Sequence, residues 1–187
     1  MAGLRPVRWR TEDLSMNESP VTARLRRAVR AVILADDDCV LLCRFGFLHP
    51  AVPTDATGVW AAPGGGIEPG ELPLSALRRE LHEETGLVLD ADPPHVWHQE
   101  VAAPGLADGY DGVVNDYFLV RTTRFDPRGA LSDEDLAAEH ITGMRWWRHA
   151  DIADYGGTDL FSPRDIATPL AALIAGDIPG TPVMLGL

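Results

Sequence analysis

The chain has 187 residues, 45% of them apolar and 24% charged, with a mean hydropathy of -0.05, the make-up of a globular protein of about one domain. Its sixteen basic residues, all arginine, face 28 acids for a net charge of -12, which argues against general affinity for long nucleic acid. No apolar run approaches the roughly 18 residues of a membrane span, and the segment after Arg24, Arg26, Arg27 and Arg30 is too short for a signal-peptide core, so a cytoplasmic chain without a membrane partner is expected.

Residues 1–25 show no clear period and read as an N-terminal extension, able to pack on the domain or on a second copy of the chain as a homodimer. The domain is expected over residues 26–180, with a short tail at 181–187. Ala28–Leu34 and Val40–Phe45 are β-branched-rich apolar runs divided by Asp36, Asp37 and Asp38, the pattern of a strand hairpin. Cys39 and Cys43 fall on one strand about 13 Å apart at ~3.3 Å per residue, too far for a disulfide. Residues 46–58, with Gly46, Pro50, Pro53 and Gly58, read as a loop. Val59–Ala62 then forms a short strand that runs into Pro63, Gly64, Gly65 and Gly66.

A helix follows, opened by Pro73 and stopped by Gly86. Leu74, Leu77, Leu81 and the Thr85 methyl line its apolar stripe. Further strands are expected at His95–Ala103, Val113–Thr123 and Ile141–Arg148, with a polar loop through Ser132, Asp133, Glu134, Asp135 and Glu139 before the last. A final helix is expected from Ser162 and Pro163 through Ile166, Leu170, Leu173 and Ile174. Strands and helices mix without regular βαβ alternation, which indicates an α+β or layered α/β/α fold.

The acid is concentrated in residues 45–187, where eight arginines face twenty-two carboxylates. At 100° per residue, Glu80, Glu83 and Glu84 share one arc of the first helix with Arg79 beside them. Like charges at this spacing destabilise a helix, and a divalent cation with a preference for oxygen ligands, Mg2+ or Mn2+, would offset them. Gly64–Gly66 let the backbone approach closely, so a carbonyl can join the cation or an amide can face an anion. Taken singly, a glutamate run is an ordinary solvated face and a glycine triplet an ordinary turn.

Their spacing is more specific. Gly65, five residues, Glu71, seven residues, Arg79-Glu80-Leu81, one residue, Glu83-Glu84, one residue and Gly86-Leu87 resembles the complete Nudix box, and the elements from about 28 to 178 resemble the whole domain of that family. The resemblance implies an α/β/α sandwich with a mixed sheet and a catalytic loop and helix. It also implies hydrolysis of a nucleoside diphosphate linked to another moiety, with a small-molecule nucleotide as partner and magnesium or manganese required. Glu80 and Glu84 would be the main metal ligands, Glu83 would serve a second ion, and Gly65 would present a carbonyl, with Gly66 shaping the loop.

Arg79 would orient a glutamate, with Glu83 its four-residue neighbour, or form an ordinary surface ion pair. Glu71 would brace the junction of loop and helix, or simply favour the helix dipole. A general base is expected on the loop ahead of the last strand, where Glu139 is the candidate, with Glu134 behind it; a solvated loop acid is the plain alternative. For stacking on a base, Phe45, Phe47, Trp60, Trp97 and Tyr110 are available, although Trp60 suits the core equally well. Of Trp146 and Trp147, which alternate across a strand, one should pack inward. His82 points away from the glutamates and reads as a surface residue.

The rival reading is a nucleotide sensor of the same family without turnover, in which eroded carboxylates would be expected; here the box is intact. Pro104, 17 residues beyond Leu87, faintly resembles a proline of ADP-ribose hydrolases. The sequence otherwise leaves the substrate open among nucleoside triphosphates, ADP-ribose, dinucleoside polyphosphates and related pyrophosphates.

Overall fold

A computed structural model describes residues 23–46, 53, 55–103, 105 and 107–186; the extension before residue 23, Phe47 and Pro104 lie outside them. In chain order the elements are β1 (Leu25–Ala35), β2 (Cys39–Phe45), β3 (Val59–Ala61), α1 (Pro73–Thr85), β4 (His95–Ala102), β5 (Gly112–Thr122), α2 (Asp133–Ala138), β6 (Ile141–Arg148), α3 (His149–Ala153), β7 (Leu160–Ser162), α4 (Ala167–Ile174) and β8 (Val183–Leu185). The strands form one mixed sheet in the order β7-β3-β2-β1-β5-β4-β8, with β6 also paired to β2.

Alternation along β1 and β5 sorts the core into two layers. Val29, Ala31 and Ile33 with Phe118 and Val120 face α1, where Ala76, Leu77 and Leu81 close the layer. Val32 and Leu34 with Tyr117 and Leu119 face the other way, toward Ile152 of α3 and Leu170 and Leu173 of α4. Each buried leucine contributes about 1.5–3 kcal/mol. The expected α/β/α sandwich is therefore present. Cys39 and Cys43 are buried free thiols, and no helix among the described residues is long and apolar enough to cross a membrane.

The sheet splits where the site is built. β6 runs along one edge of β2 from Cys39 to Phe45, so β1, at Val40 and Leu41, and β3, at Cys43 to Phe45, must share the other edge in succession. Beyond that split, the Ala31 and Val29 amides of β1 donate instead to the carbonyls of Pro63 and Gly65, both at 2.9 Å, and Ile67 N donates to Arg27 O at 3.0 Å. The glycine loop thus serves as a substitute strand against β1.

Several elements differ from expectation. β1 begins at Leu25, before its apolar run, because Leu25, Arg26 and Arg27 pair in parallel with Gly112, Val113 and Val114 through main-chain groups that hydropathy does not reveal. The expected polar loop at 132–139 contains α2, held by a reciprocal cap: Asp135 N donates to Ser132 Oγ and Ser132 N to Asp135 Oδ2. The last helix starts at Ala167, because residues through Ser162 belong to β7, which pairs with β3. The expected tail holds β8, paired in parallel with β4 at Trp97, His98 and Gln99; three residues are too few to show a period.

Candidate active site

Pro73 occupies the first turn of α1, and Gly86, at φ 76°, ends it in the left-handed region, which glycine enters without steric cost. With Leu77 and Leu81 fixed against the sheet, Glu80 and Glu84 turn toward the glycine loop and are only 7% and 2% exposed. Gly64 N donates to Glu84 Oε2 at 2.8 Å. A Cβ at Gly65 would overlap the Glu80 carboxylate, so the absence of a side chain there is what allows the approach.

The third carboxylate arrives from the opposite direction. After the C-terminus of α1, Ala130 N and Leu131 N donate to the carbonyls of His82 and Glu83 at 3.2 and 3.0 Å, tying the next segment to the helix end. α2 then carries the chain back, and its C-cap residue is Glu139. One carboxylate oxygen from each of Glu80, Glu84 and Glu139 lies within 4.8 Å of the others. Burial pushes Glu84 up to about 8, against the opposing effects of Arg30 and the Gly64 amide. Burial also raises Glu80, against the hydrogen bond from Arg79.

Arg79 organises the approach to this cluster. Its Nε and Nη2 donate to the two Glu71 oxygens at 3.0 and 2.9 Å, Nη2 also reaches Gly66 O at 3.1 Å, and Nη1 reaches Glu80 Oε1 at 2.8 Å. The expected Glu83 partner is more distant, at 3.3 Å. Glu71 Oε2 further accepts from Glu68 N at 3.0 Å, and the Arg79 hydrogen bonds hold its carboxyl below the usual range. Glu83 is partly exposed on the rim of the same helix face.

Arg30 joins the site without having been expected there. From β1 its Nη1 donates to Gly64 O at 2.5 Å and Ala62 O at 3.3 Å, and its guanidinium lies 5.7 Å from the Phe45 ring centre. The available signal was an arginine within an otherwise apolar strand run. Arg26 likewise lies against Gly66, whose missing side chain leaves it room.

The aromatic candidates separate. Half-buried Phe45 stays beside Arg30, whereas Trp60 belongs to the core with its Nε1 donating to Asp159 Oδ2 at 3.0 Å. Trp97 is 1% exposed and packs on Tyr117, so it is a core residue rather than a stacking surface. Tyr110 sits on the connection between β4 and β5 with the Arg24 guanidinium 4.7 Å over its ring. Trp147 packs inward and Trp146 donates to Phe125 O. His82 and Glu134 are exposed.

An all-oxygen donor set that includes a buried carboxylate and lies against an amide-rich loop fits a hard divalent cation. The Gly65 carbonyl accepts from Val29 N, which leaves it one lone pair for a further partner.

A family model described as the NUDIX domain matches residues 24–163. Over 132 residues the chain is 33% identical to the nucleoside triphosphatase NudI of Salmonella arizonae, a match covering 70% of this chain and 87% of that protein. Its fold is similar to that of the MutT protein from Methanosarcina mazei Go1, at 16% identity and a TM-score of 0.56, over 84% of this chain and 98% of that one. It is also similar to a NUDIX hydrolase from Nitrosomonas europaea, at 21% identity and a TM-score of 0.56, over 83% and 92% of the two chains.

Proposed function

The chain belongs to the Nudix family and is a pyrophosphohydrolase, and from that premise we propose that it cleaves a nucleoside diphosphate linked to a further group, with Mg2+ or Mn2+ held by Glu80 and Glu84. The observation that carries this reading is the convergence of Glu80, Glu84 and Glu139 oxygens within 4.8 Å beside the glycine loop.

When bound, the divalent cation would neutralise phosphate oxygens and acidify the attacking water. The chain's own residues do the rest. Glu80 and Glu84 would hold the cation through their carboxylates, and Glu83 on the rim would hold a second one. Glu139, on an exposed cap facing the other two, takes the proton of the attacking water. The new bond joins that water oxygen to phosphorus, the bridging P–O bond breaks, and the electron pair leaves with the departing phosphate. Arg79 positions Glu80 while Glu71 holds Arg79, and Gly65 and Gly66 keep the loop close to the carboxylates, where the Gly65 carbonyl would add a further ligand for the cation. Phe45 and Arg30 offer the wall for the nucleotide; Trp60 and Tyr110 are left to the core and to Arg24.

A nucleoside triphosphate is the first substrate to test, because NudI is named for that activity and a triphosphate is itself a nucleoside diphosphate joined to phosphate. The purified chain should be given triphosphates, ADP-ribose and dinucleoside polyphosphates with Mg2+ or Mn2+, using Glu84→Gln as the blank. Cation-dependent release from one class, reduced at least about a hundredfold in the variant, is the expected result. Nucleotide binding without turnover across the panel would overturn it and return the sensor reading, against which the intact carboxylates now stand.

A further inference from the structure

The β4–β5 pair carries a second set of converging donors with different chemistry. His98 lies directly opposite Asp116 in the antiparallel register, so their side chains share one face of the sheet. Regular alternation would put His95, three residues earlier, on the other face. The register instead shifts between His95 and Trp97, with His95 opposite Phe118 and Trp97 opposite Tyr117. This irregularity re-aims His95 as a bulge does. The imidazole of His95 then stacks on the Phe118 ring, with centroids 5.0 Å apart.

The result is a three-way convergence. Asp116 Oδ1 lies 2.7 Å from His98 Nδ1 and 3.2 Å from His95 Nε2. The three donor atoms fall within 4.8 Å of one another. Asp116 is 8% exposed, while the two rings are partly open to solvent. Both flanks are supported: His98 Nε2 meets Glu100 Oε1 at 3.3 Å, and Asp116 Oδ2 lies 3.6 Å from Arg27 Nη2.

We propose that His95, His98 and Asp116 form a binding site for a zinc-class divalent cation, distinct in its residues and donor chemistry from the Glu80, Glu84 and Glu139 cluster. Two imidazole nitrogens and one carboxylate oxygen suit a borderline ion such as Zn2+ rather than Mg2+. A tetrahedral ion with bonds of about 2.0–2.1 Å holds its ligand atoms about 3.3 Å apart. Admitting one, with water in the fourth position, requires the 2.7 Å His98–Asp116 contact to open by about 0.6 Å and His95 Nε2 to give up the proton it now donates to Trp97 O at 2.9 Å. Glu100 on the far nitrogen of His98 is the outer carboxylate that orients a metal-ligating imidazole. The ion would pin the irregular start of β4 to β5.

The test uses the full chain stripped with a chelator and titrated with Zn2+ in a large excess of Mg2+, so that the oxygen cluster is occupied. One equivalent of Zn2+ should bind, and bind equally in Glu80→Gln/Glu84→Gln. His95→Gln and His98→Gln should each weaken it at least tenfold, and Glu100→Gln about tenfold. Co2+ added to the unsubstituted chain should give the intense visible bands of a tetrahedral nitrogen-containing site, a readout that needs no variant to fold. Zn2+ binding that survives both histidine changes, no bound equivalent, or only the weak spectrum of octahedral Co2+ would each overturn the proposal.

Discussion

Arg79 grips both oxygens of Glu71, eight residues earlier, through two parallel N–H donors at 3.0 and 2.9 Å. The same guanidinium spans Gly66 O and Glu80, so loop, helix start and carboxylate cluster are referred to one planar group. Lysine offers a point charge and cannot reproduce that fork. Arg79→Lys should therefore keep its fold by circular dichroism yet lose turnover by about tenfold or more, through misplacement of Glu80. Glu71→Gln should show the same loss. Steady-state kinetics with saturating cation are the check, and unchanged turnover in both variants would remove the positioning role.

Glu139 and Glu134 leave the same short helix in different directions. Glu139 joins the oxygen cluster, whereas Glu134 is an exposed residue of the first turn of α2. Glu139→Gln should lower turnover at least about tenfold, within the range of general-base contributions, and Glu134→Gln should change it less than about twofold. Equal effects would mean that the pair acts only through overall charge.

Gly65 tests the loop approach directly. A methyl group there overlaps the Glu80 carboxylate, and the neighbouring loop cannot retreat without breaking the Val29 N to Gly65 O bond. Gly65→Ala should weaken Mn2+ binding, read by electron paramagnetic resonance, and lower turnover at least about tenfold. Mn2+ affinity equal to that of the unsubstituted chain would show that the loop has slack.

The helix, the loop and the shared side of Glu80 and Glu84 were legible because their signals are local: proline and glycine set the ends of α1, and a 3.6-residue period sets its faces. Glu139 was marked only by the family resemblance, which implies a glutamate on the loop ahead of the last strand. The arrangement around them was not. Arg30 acts across the split between β1 and β2, and β8 and β7 exist through pairing partners more than 80 residues away. The expected Arg79–Glu83 contact is present at 3.3 Å, but the shorter, bidentate pair is with Glu71, eight residues earlier, a geometry that neighbour spacing does not reveal. Of the missed elements, α2 could have been found from the sequence, through the Ser132-x-x-Asp135 spacing of its cap.

Glu84 also makes metal-free stability depend on pH. Burial pushes its carboxyl up to about 8 in the folded chain, from the ordinary value of 4.5 for a free glutamate. Between those two values the folded chain binds more protons than the unfolded one, so stability falls as pH rises. The contribution is complete below about 4.5 and lost as pH passes through about 8. Thermal unfolding of the chelator-treated protein should follow a downward slope in that window, and Glu84→Gln, which cannot ionise, should flatten it. Adding Mg2+ should release protons, because the cation selects the ionised carboxylate, and should raise the unfolding temperature more at pH 8 than at pH 6. An identical slope in the variant would mean that other groups set the pH dependence, and binding without proton release would place the cation away from Glu84.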